Sequence, residues 1–326
     1  MTLISLLSKP RRAATVRRLL PALLPLLAGC ETAIDVPEPA HTPRVALVLT
    51  LDNLPAADSL RRESFLGRQP FVSLSQRLYD LTPLRGRDDA TLEVRDAAGT
   101  VVEHYRPAGT RTPGGPFFFP GQYRPARHYR FQPGQTYAVR ATVPGAEAAE
   151  SRLTLPTTVP VQLTVAPLSS TPGQQRLRVT VAFDDPAAAG DYYLATARVT
   201  DDAGRQRSSL DLTDNNSGVD VPTYQLSYPN SSYELYPFSD ANANGQRISF
   251  SQNVVYYDSG QPGGPLYLEV TLSHLTRELY LFYNSYVQYS NNNGNPFAEP
   301  TPLYSNVSGG YGIFGGATDA TMRVPL

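Results

Sequence analysis

The chain predicts an all-β protein, arranged as two β-sandwich-like bodies with one amphipathic helix near the C-terminus. Three observations carry this reading. The 326 residues include 30 prolines, 24 glycines and 20 tyrosines but no tryptophan, a composition suited to short strands joined by many turns. Alternating segments recur: Leu177, Val179, Val181 and Phe183 share one face while Arg178 and Thr180 take the other. A Pro-rich stretch at 156–160, PTTVP, separates two series of such segments and sets bodies at 44–156 and 160–326.

The N-terminal 29 residues read as a leader. Lys9, Arg11, Arg12, Arg17 and Arg18 precede the apolar run Leu19 to Leu27, and Leu26-Leu27-Ala28-Gly29-Cys30 has the form of a lipobox. Basic segment, hydrophobic core and small-residue cleavage site in that order define a lipoprotein signal peptide. A spanning helix needs roughly 20 apolar residues, and this run is shorter and holds Pro21 and Pro25. The mature chain is expected to begin at Cys30, with acyl chains, palmitate among them, on its sulfur and amino group. Stable anchoring takes more than one chain, which a triacylated Cys30 satisfies. Residues 30–43, with Pro37, Pro39 and Pro43, form an extended tether.

Beyond the tether, Arg44 to Leu51 has the residue types of a first strand, residues 52–70 show no period, and Phe71 to Leu74 forms a short strand. Thr91 to Arg95, the turn Asp96-Ala97-Ala98-Gly99 and Thr100 to Tyr105 make a hairpin, since Gly99 takes positive φ readily. Residues 107–127 are loop, in which Phe117, Phe118 and Phe119 are expected to cap the sandwich, an exposed contact patch being the alternative. Gln135 to Val143 and Glu150 to Leu155 complete the first body. In the second, Val161 to Val165, Arg176 to Phe183, Ile248 to Tyr257 and Leu266 to Ser273 are strands. Tyr192 to Thr200 and Arg205 to Leu212 form a hairpin around Asp201-Asp202-Ala203-Gly204, and Thr213 to Gly245 is a long polar loop. Leu275, Leu279, Phe282, Tyr286 and Tyr289 fall on one helical stripe, so a helix is expected over about 276–289 with Thr276 as N-cap. Short strands, hairpins and turns of this kind suit immunoglobulin- or fibronectin-like sandwiches.

Charge and chemistry exclude several functions. Removing the leader, which carries five basic residues and no acidic ones, takes the formal net charge from −1 to −6. No lysine follows Lys9 and the arginines are scattered, so the clustered basic surface that nucleic acid requires is missing from the sequence. With the single cysteine committed to lipid, no disulfide or thiolate site is available. His41, His104, His128 and His274 have no His or Cys partner at ligand spacing, and surface or capping roles are expected for each. His274-Leu275-Thr276-Arg277-Glu278 lacks the second histidine of a zinc protease. Gly310-Tyr311-Gly312-Ile313-Phe314-Gly315 has the letters of a dinucleotide loop, yet only 11 residues follow it; the glycines are expected to allow a tight backbone path instead. Asp184-Asp185, Asp201-Asp202, Asp211 and Asp214-Asn215-Asn216 are oxygen-rich stretches that could hold Ca²⁺, but these residues dominate ordinary turns. No catalytic residue, metal site or cofactor is assigned, and the expected protein is not an enzyme.

Fifteen of the 20 tyrosines lie from Tyr192 onward. Tyrosine offers an apolar face with a polar tip, useful for glycan or peptide recognition as well as for strand surfaces. Tyr224, Tyr228, Tyr233 and Tyr236, in the polar loop, are the ligand-contact candidates.

The ending Asn295-Pro296-Phe297-Ala298-Glu299-Pro300, Tyr304-Ser305-Asn306-Val307 and Gly309-Gly310-Tyr311-Gly312-Ile313-Phe314-Gly315 resembles the family catalogued as domain of unknown function 4249. The lipobox cysteine, Asp96-Ala97-Ala98-Gly99, Pro133-Gly134-Gln135-Thr136-Tyr137, Asp185-Pro186 with Tyr192-Tyr193, and the Tyr-rich helix agree with it. The resemblance implies an envelope lipoprotein of Gram-negative bacteria, held at the outer membrane on its periplasmic or cell-surface face and associated with TonB-dependent receptors. It brings no catalytic residue. The expectation is a non-enzymatic binding or accessory protein in TonB-dependent uptake; the alternative is a structural or adhesive envelope protein working through protein–protein contacts.

Overall fold

The computed structural model describes residues 37–55, 68–77, 79–80, 82–109, 119–188, 190–208, 210–213, 224–229, 234–257, 264–292, 299 and 301–326. In chain order the strands are β1 (Val45–Asp52), β2 (Phe71–Leu74), β3 (Thr91–Asp96), β4 (Val101–Pro107), β5 (Tyr123–Pro125), β6 (Thr136–Thr142) and β7 (Ala149–Thr154). They continue as β8 (Val161–Thr171), β9 (Gln174–Asp184), β10 (Tyr192–Thr200), β11 (Gln206–Ser208), β12 (Leu210–Leu212), β13 (Leu226–Ser227) and β14 (Phe238–Ser239). The last elements are β15 (Arg247–Tyr257), β16 (Tyr267–Leu275), the helix α1 (Arg277–Asn292) and β17 (Gly310–Pro325). The all-β class with a single described helix therefore holds.

Three sheets form. The central one has the order β11-β10-β16-β17-β1-β2, with β13 and β14 also on β10; a four-stranded sheet runs β12-β15-β9-β8, and a five-stranded one β5-β4-β3-β6-β7. Pairing in the central sheet is antiparallel from β10 through β16 to β17, but β1 joins β17 in parallel, Val45 opposite Gly310 through Asp52 opposite Ala317. Following the alternation across these registers puts Val45, Leu47, Leu49 and Leu51 of β1 on the same face as Tyr193, Ala195, Ala197 and Val199 of β10. The five-stranded sheet covers the β1 end of that face, where Leu92, Val94, Tyr137, Val139 and Leu153 meet the β1 leucines. The four-stranded sheet covers the β10 end, where Val179, Val181, Phe183, Ile248 and Val254 meet Tyr193, Ala195 and Ala197. Each fully buried aliphatic side chain in these cores is worth about 1.5–3 kcal/mol relative to exposure.

This arrangement corrects the division at 156–160. Two cores lie on that face, but β1 from the expected first body completes the sheet of the expected second, and residues His41–Leu326 form one unit. The PTTVP segment is no free linker: Val159 is buried, and the Thr157 carbonyl accepts the Thr318 hydroxyl (3.0 Å) on the central sheet. The reason is a parallel pairing that spans nearly the whole chain and leaves no local signature.

Local expectations held where short-range chemistry decides. The β3–β4 turn is closed by Asp96, whose Oδ1 accepts the Ala98 and Thr100 N–H groups, with Gly99 at φ 84°. Thr276 caps α1, its Oγ1 accepting the Leu279 N–H at 3.4 Å. The helix packs Leu279, Phe282 and Tyr283 against Leu194, Ile313 and Ala317 on the opposite face of the central sheet, while Tyr289 is exposed. Tyr283 rather than Tyr289 thus completes the buried stripe.

Two other readings are corrected. Arg205 to Leu212 is not one strand: β11 stays on β10, whereas β12 crosses to pair with β15. The glycine-rich ending takes the tight backbone path expected of it, as the first half of β17, a 16-residue central strand in which Gly310 and Gly312 run against β1. Phe119 is exposed rather than capping; Phe117, Phe118 and Phe297 lie outside the described residues.

Candidate functional site

Two connections carry the chain between the central and four-stranded sheets at one end of their shared core. Residues 185–191 lead from β9 to β10, and residues 240–246 lead from β14 to β15. Both begin or end on an aspartate. Asp185 follows β9, Asp191 precedes β10, and Asp240 follows β14, which pairs with the start of β10 through Tyr192 opposite Ser239. The three side chains each present an oxygen within 4.8 Å of the others.

The surroundings fix these carboxylates one by one. Asp185 Oδ1 accepts the Tyr193 hydroxyl at 2.5 Å and Oδ2 accepts the Gly245 N–H at 2.8 Å, so Asp185 ties one connection to the other. Its own N–H donates to the Gln246 carbonyl at 3.0 Å. Asp240 Oδ2 accepts the Gly190 N–H at 3.2 Å, while its backbone N–H donates to the Asp191 carbonyl at 3.1 Å. Asp191 Oδ1 lies 3.0 Å from His274 Nε2, and its Oδ2 is enclosed with no hydrogen-bond partner among the described residues.

His274 is the correction to the surface role expected of every histidine: it is buried, in β16, with its ring stacked on Tyr193 at 4.9 Å between centroids. Its Nδ1 is 2.7 Å from the Thr157 carbonyl, which can only accept. Both ring nitrogens therefore face acceptors, and the two contacts are satisfied together when the His274–Asp191 pair holds an additional proton, on the ring or on the carboxyl. Burial pushes the Asp191 carboxyl above the usual carboxylate range; His274 opposes this, and the Asp185 and Asp240 charges add to it. Burial also raises the Tyr193 phenol, helped by its bond to Asp185 and by the nearby aspartates. An arrangement of this kind can share protons or hold a hard cation, since every donor it offers beyond the ring is oxygen.

Of the tyrosine candidates, the three among the described residues are each half-buried and held by the fold. Tyr224 is half-buried, edge-on to Phe238 at 5.2 Å and near Phe250 at 6.4 Å, on the flank of the core. Tyr228 is half-buried and its hydroxyl accepts the Leu212 N–H at 2.9 Å. Tyr236 is half-buried, its N–H donating to Ser227 Oγ at 2.8 Å. Tyr233 and Cys30 lie outside the described residues. Of the acidic stretches singled out from the sequence, Asp185 alone joins the cluster among the described residues, and Asp214-Asn215-Asn216 lies outside them. Asp201 closes its own turn by accepting the Arg205 N–H at 3.0 Å, and Asp211 accepts the Tyr257 hydroxyl at 2.8 Å. Asp191 and Asp240 were not legible as a pair, because they stand 49 positions apart and meet only through the β10–β14 pairing. One local signal was present: Asp240-Ala241-Asn242-Ala243-Asn244-Gly245 places oxygen-bearing side chains at every second position before a glycine.

Neither the curated proteins nor the solved structures gave a match to this chain. The family comparison did, over residues 70–323, which include β2 to β16, most of β17, the helix and the aspartate cluster. On that match the chain belongs to the family described as domain of unknown function (DUF4249).

Proposed function

We propose that this protein is a lipid-anchored, non-enzymatic binding or accessory protein of the bacterial outer membrane that works beside a TonB-dependent receptor. The observation that carries the reading is the order of basic residues, apolar run and Leu-Leu-Ala-Gly-Cys at 26–30. Cys30 is the only cysteine, so acylation there uses a thiol that no other role claims. The glycan or peptide ligand that such a role calls for would meet the loop around Tyr224, Tyr228, Tyr233 and Tyr236.

The test is mass spectrometry of the N-terminal peptide from protein extracted from cell membranes, together with labelling by an alkyne-bearing palmitate. Three acyl chains on Cys30 are expected, and Cys30→Ser should release the protein from the membrane fraction. An unmodified Cys30 in the membrane-extracted protein overturns the reading. Cross-linking in intact cells then identifies the neighbour, with a receptor of the TonB-dependent class expected.

A structural or adhesive role is favoured by one observation. Among the described residues β8 is the edge of its sheet and pairs with β9 alone, and its 11 residues carry no charge. Uncharged edges of this length invite strand addition by another chain, although Pro167 and the register shift beside it confine this to Val161–Ala166. Cross-links from Thr164 to a non-receptor envelope protein would select this reading over the first.

A further inference from the structure

The segment Asp240-Ala241-Asn242-Ala243-Asn244-Gly245 fits the first half of a calcium loop, D-x-[DN]-x-[DN]-G, in which alternate side chains at positions 1, 3 and 5 supply oxygen and a glycine at 6 turns the chain. Gly245 takes φ 68°, and a Cβ there would stand 3.3 Å from Ala187 Cα, so the turn requires glycine. The standard loop ends on a glutamate at position 12. Here that position is Ser251, inside β15, and the fold brings in carboxylates from another connection instead.

Those carboxylates are Asp185 and Asp191, each with an oxygen within 4.8 Å of the others and of Asp240. Asp240 is 2% exposed and has one oxygen, Oδ2, on a protein donor among the described residues. Asp191 Oδ2 is enclosed and accepts no hydrogen bond from the described residues. An enclosed carboxylate oxygen without a donor costs about 1–3 kcal/mol or more, and native structures resolve such orphans with a water or an ion. The charge balance points the same way: three aspartates face one imidazole ring, His274.

From this geometry we propose that Asp185, Asp191 and Asp240, with Asn242 and Asn244 at loop positions 3 and 5, bind Ca²⁺. All donors are oxygens, which selects a hard cation. Exposed Asn242 and Asn244 leave room for water in an irregular coordination shell, which suits Ca²⁺; Mg²⁺ demands near-ideal octahedral geometry. The ion would pin both connections between the central and four-stranded sheets at one point.

The experiment uses the mature protein, stripped with a chelator and titrated with CaCl₂ by calorimetry and by displacement of Tb³⁺ luminescence excited through tyrosine. Saturable binding is expected with Kd of about 10⁻⁴–10⁻³ M, the range of extracellular calcium modules, accompanied by a rise in Tm. Asp240→Asn should weaken binding by about tenfold or more, through loss of a charged ligand. Asn244→Ala, at an exposed position, covers the case in which Asp240→Asn fails to fold, and should weaken binding several-fold. No heat, no Tb³⁺ displacement and no Tm change with Ca²⁺ up to about 10 mM, or unaltered affinity in folded Asp240→Asn or Asn244→Ala protein, overturns the proposal.

Discussion

Gly312 of β17 lies opposite Leu47 of β1 in parallel register, so close that a Cβ on Gly312 would fall 1.9 Å from the Leu47 carbonyl oxygen. No side chain fits there, and φ 108° at Gly312 adds a backbone conformation that L residues avoid. The contact closes the central sheet with the first strand of the body, and so joins the two cores.

Gly312→Ala is accordingly expected to destabilise the protein by about 4 kcal/mol or more, the scale reserved for disrupted cores and special backbone positions. Urea titration followed by circular dichroism measures it. Gly99→Ala serves as the comparison, since a Cβ there meets nothing within 4 Å and only the φ penalty applies. Equal losses at the two positions would show that close approach to β1 is not what Gly312 provides.

A second prediction concerns the buried pair Arg68–Asp319, fully enclosed on both sides, with Arg68 Nη2 2.9 Å from Asp319 Oδ1 and Ser273 Oγ 2.6 Å from the same oxygen. It bridges β17, β16 and the segment leading into β2. Asp319→Asn should cost about 3–5 kcal/mol, because it removes the carboxylate bonded directly to a buried guanidinium. Arg68→Met with Asp319→Leu should cost much less than either single change, as paired replacement of a buried ion pair by apolar residues often does. Additive losses in the double-mutant cycle would contradict this coupling.

Alkaline pH tests the packing of the five-stranded sheet. Burial pushes the Tyr137 phenol up to about 12 from its ordinary 10, against the Gln132 N–H that donates to its oxygen at 2.9 Å. The folded state thus holds this proton more tightly than the unfolded chain. Its contribution is complete below pH 10 and is lost as the pH rises through 12. Tyr137→Phe should flatten that part of the pH profile, at a cost near neutrality of about 1 kcal/mol for the lost hydrogen bond. Denaturant midpoints at successive pH values give both quantities; identical alkaline slopes for wild type and variant would refute the assignment.

Hairpins were legible because their information is local. Asp96 to Gly99 and Asp201 to Gly204 contain both the side-chain oxygen that closes the turn and the glycine that accepts positive φ. The helix was legible from Leu279 and Phe282 and from the cap at Thr276. Glu103 shows where such reading fails. It is a charged residue at an inward position of β4, fully buried, and its carboxylate accepts the N–H groups of His104, Ala126, Arg127 and Tyr129. Nothing in the neighbouring sequence announces that a loop more than 20 residues away will supply its donors.

The sequence by itself determined the class, most strand positions, the helix with its cap, and the family ending. These depend on periodicity, turn chemistry and composition, all of which are written within a few residues. Only the tertiary structure decided that the two β series share one sheet, that β12 leaves the strand before it, and that Asp185, Asp191 and Asp240 meet around His274. Those outcomes depend on pairings between distant segments, where many registers satisfy the same local pattern and one is selected by the simultaneous burial of both cores.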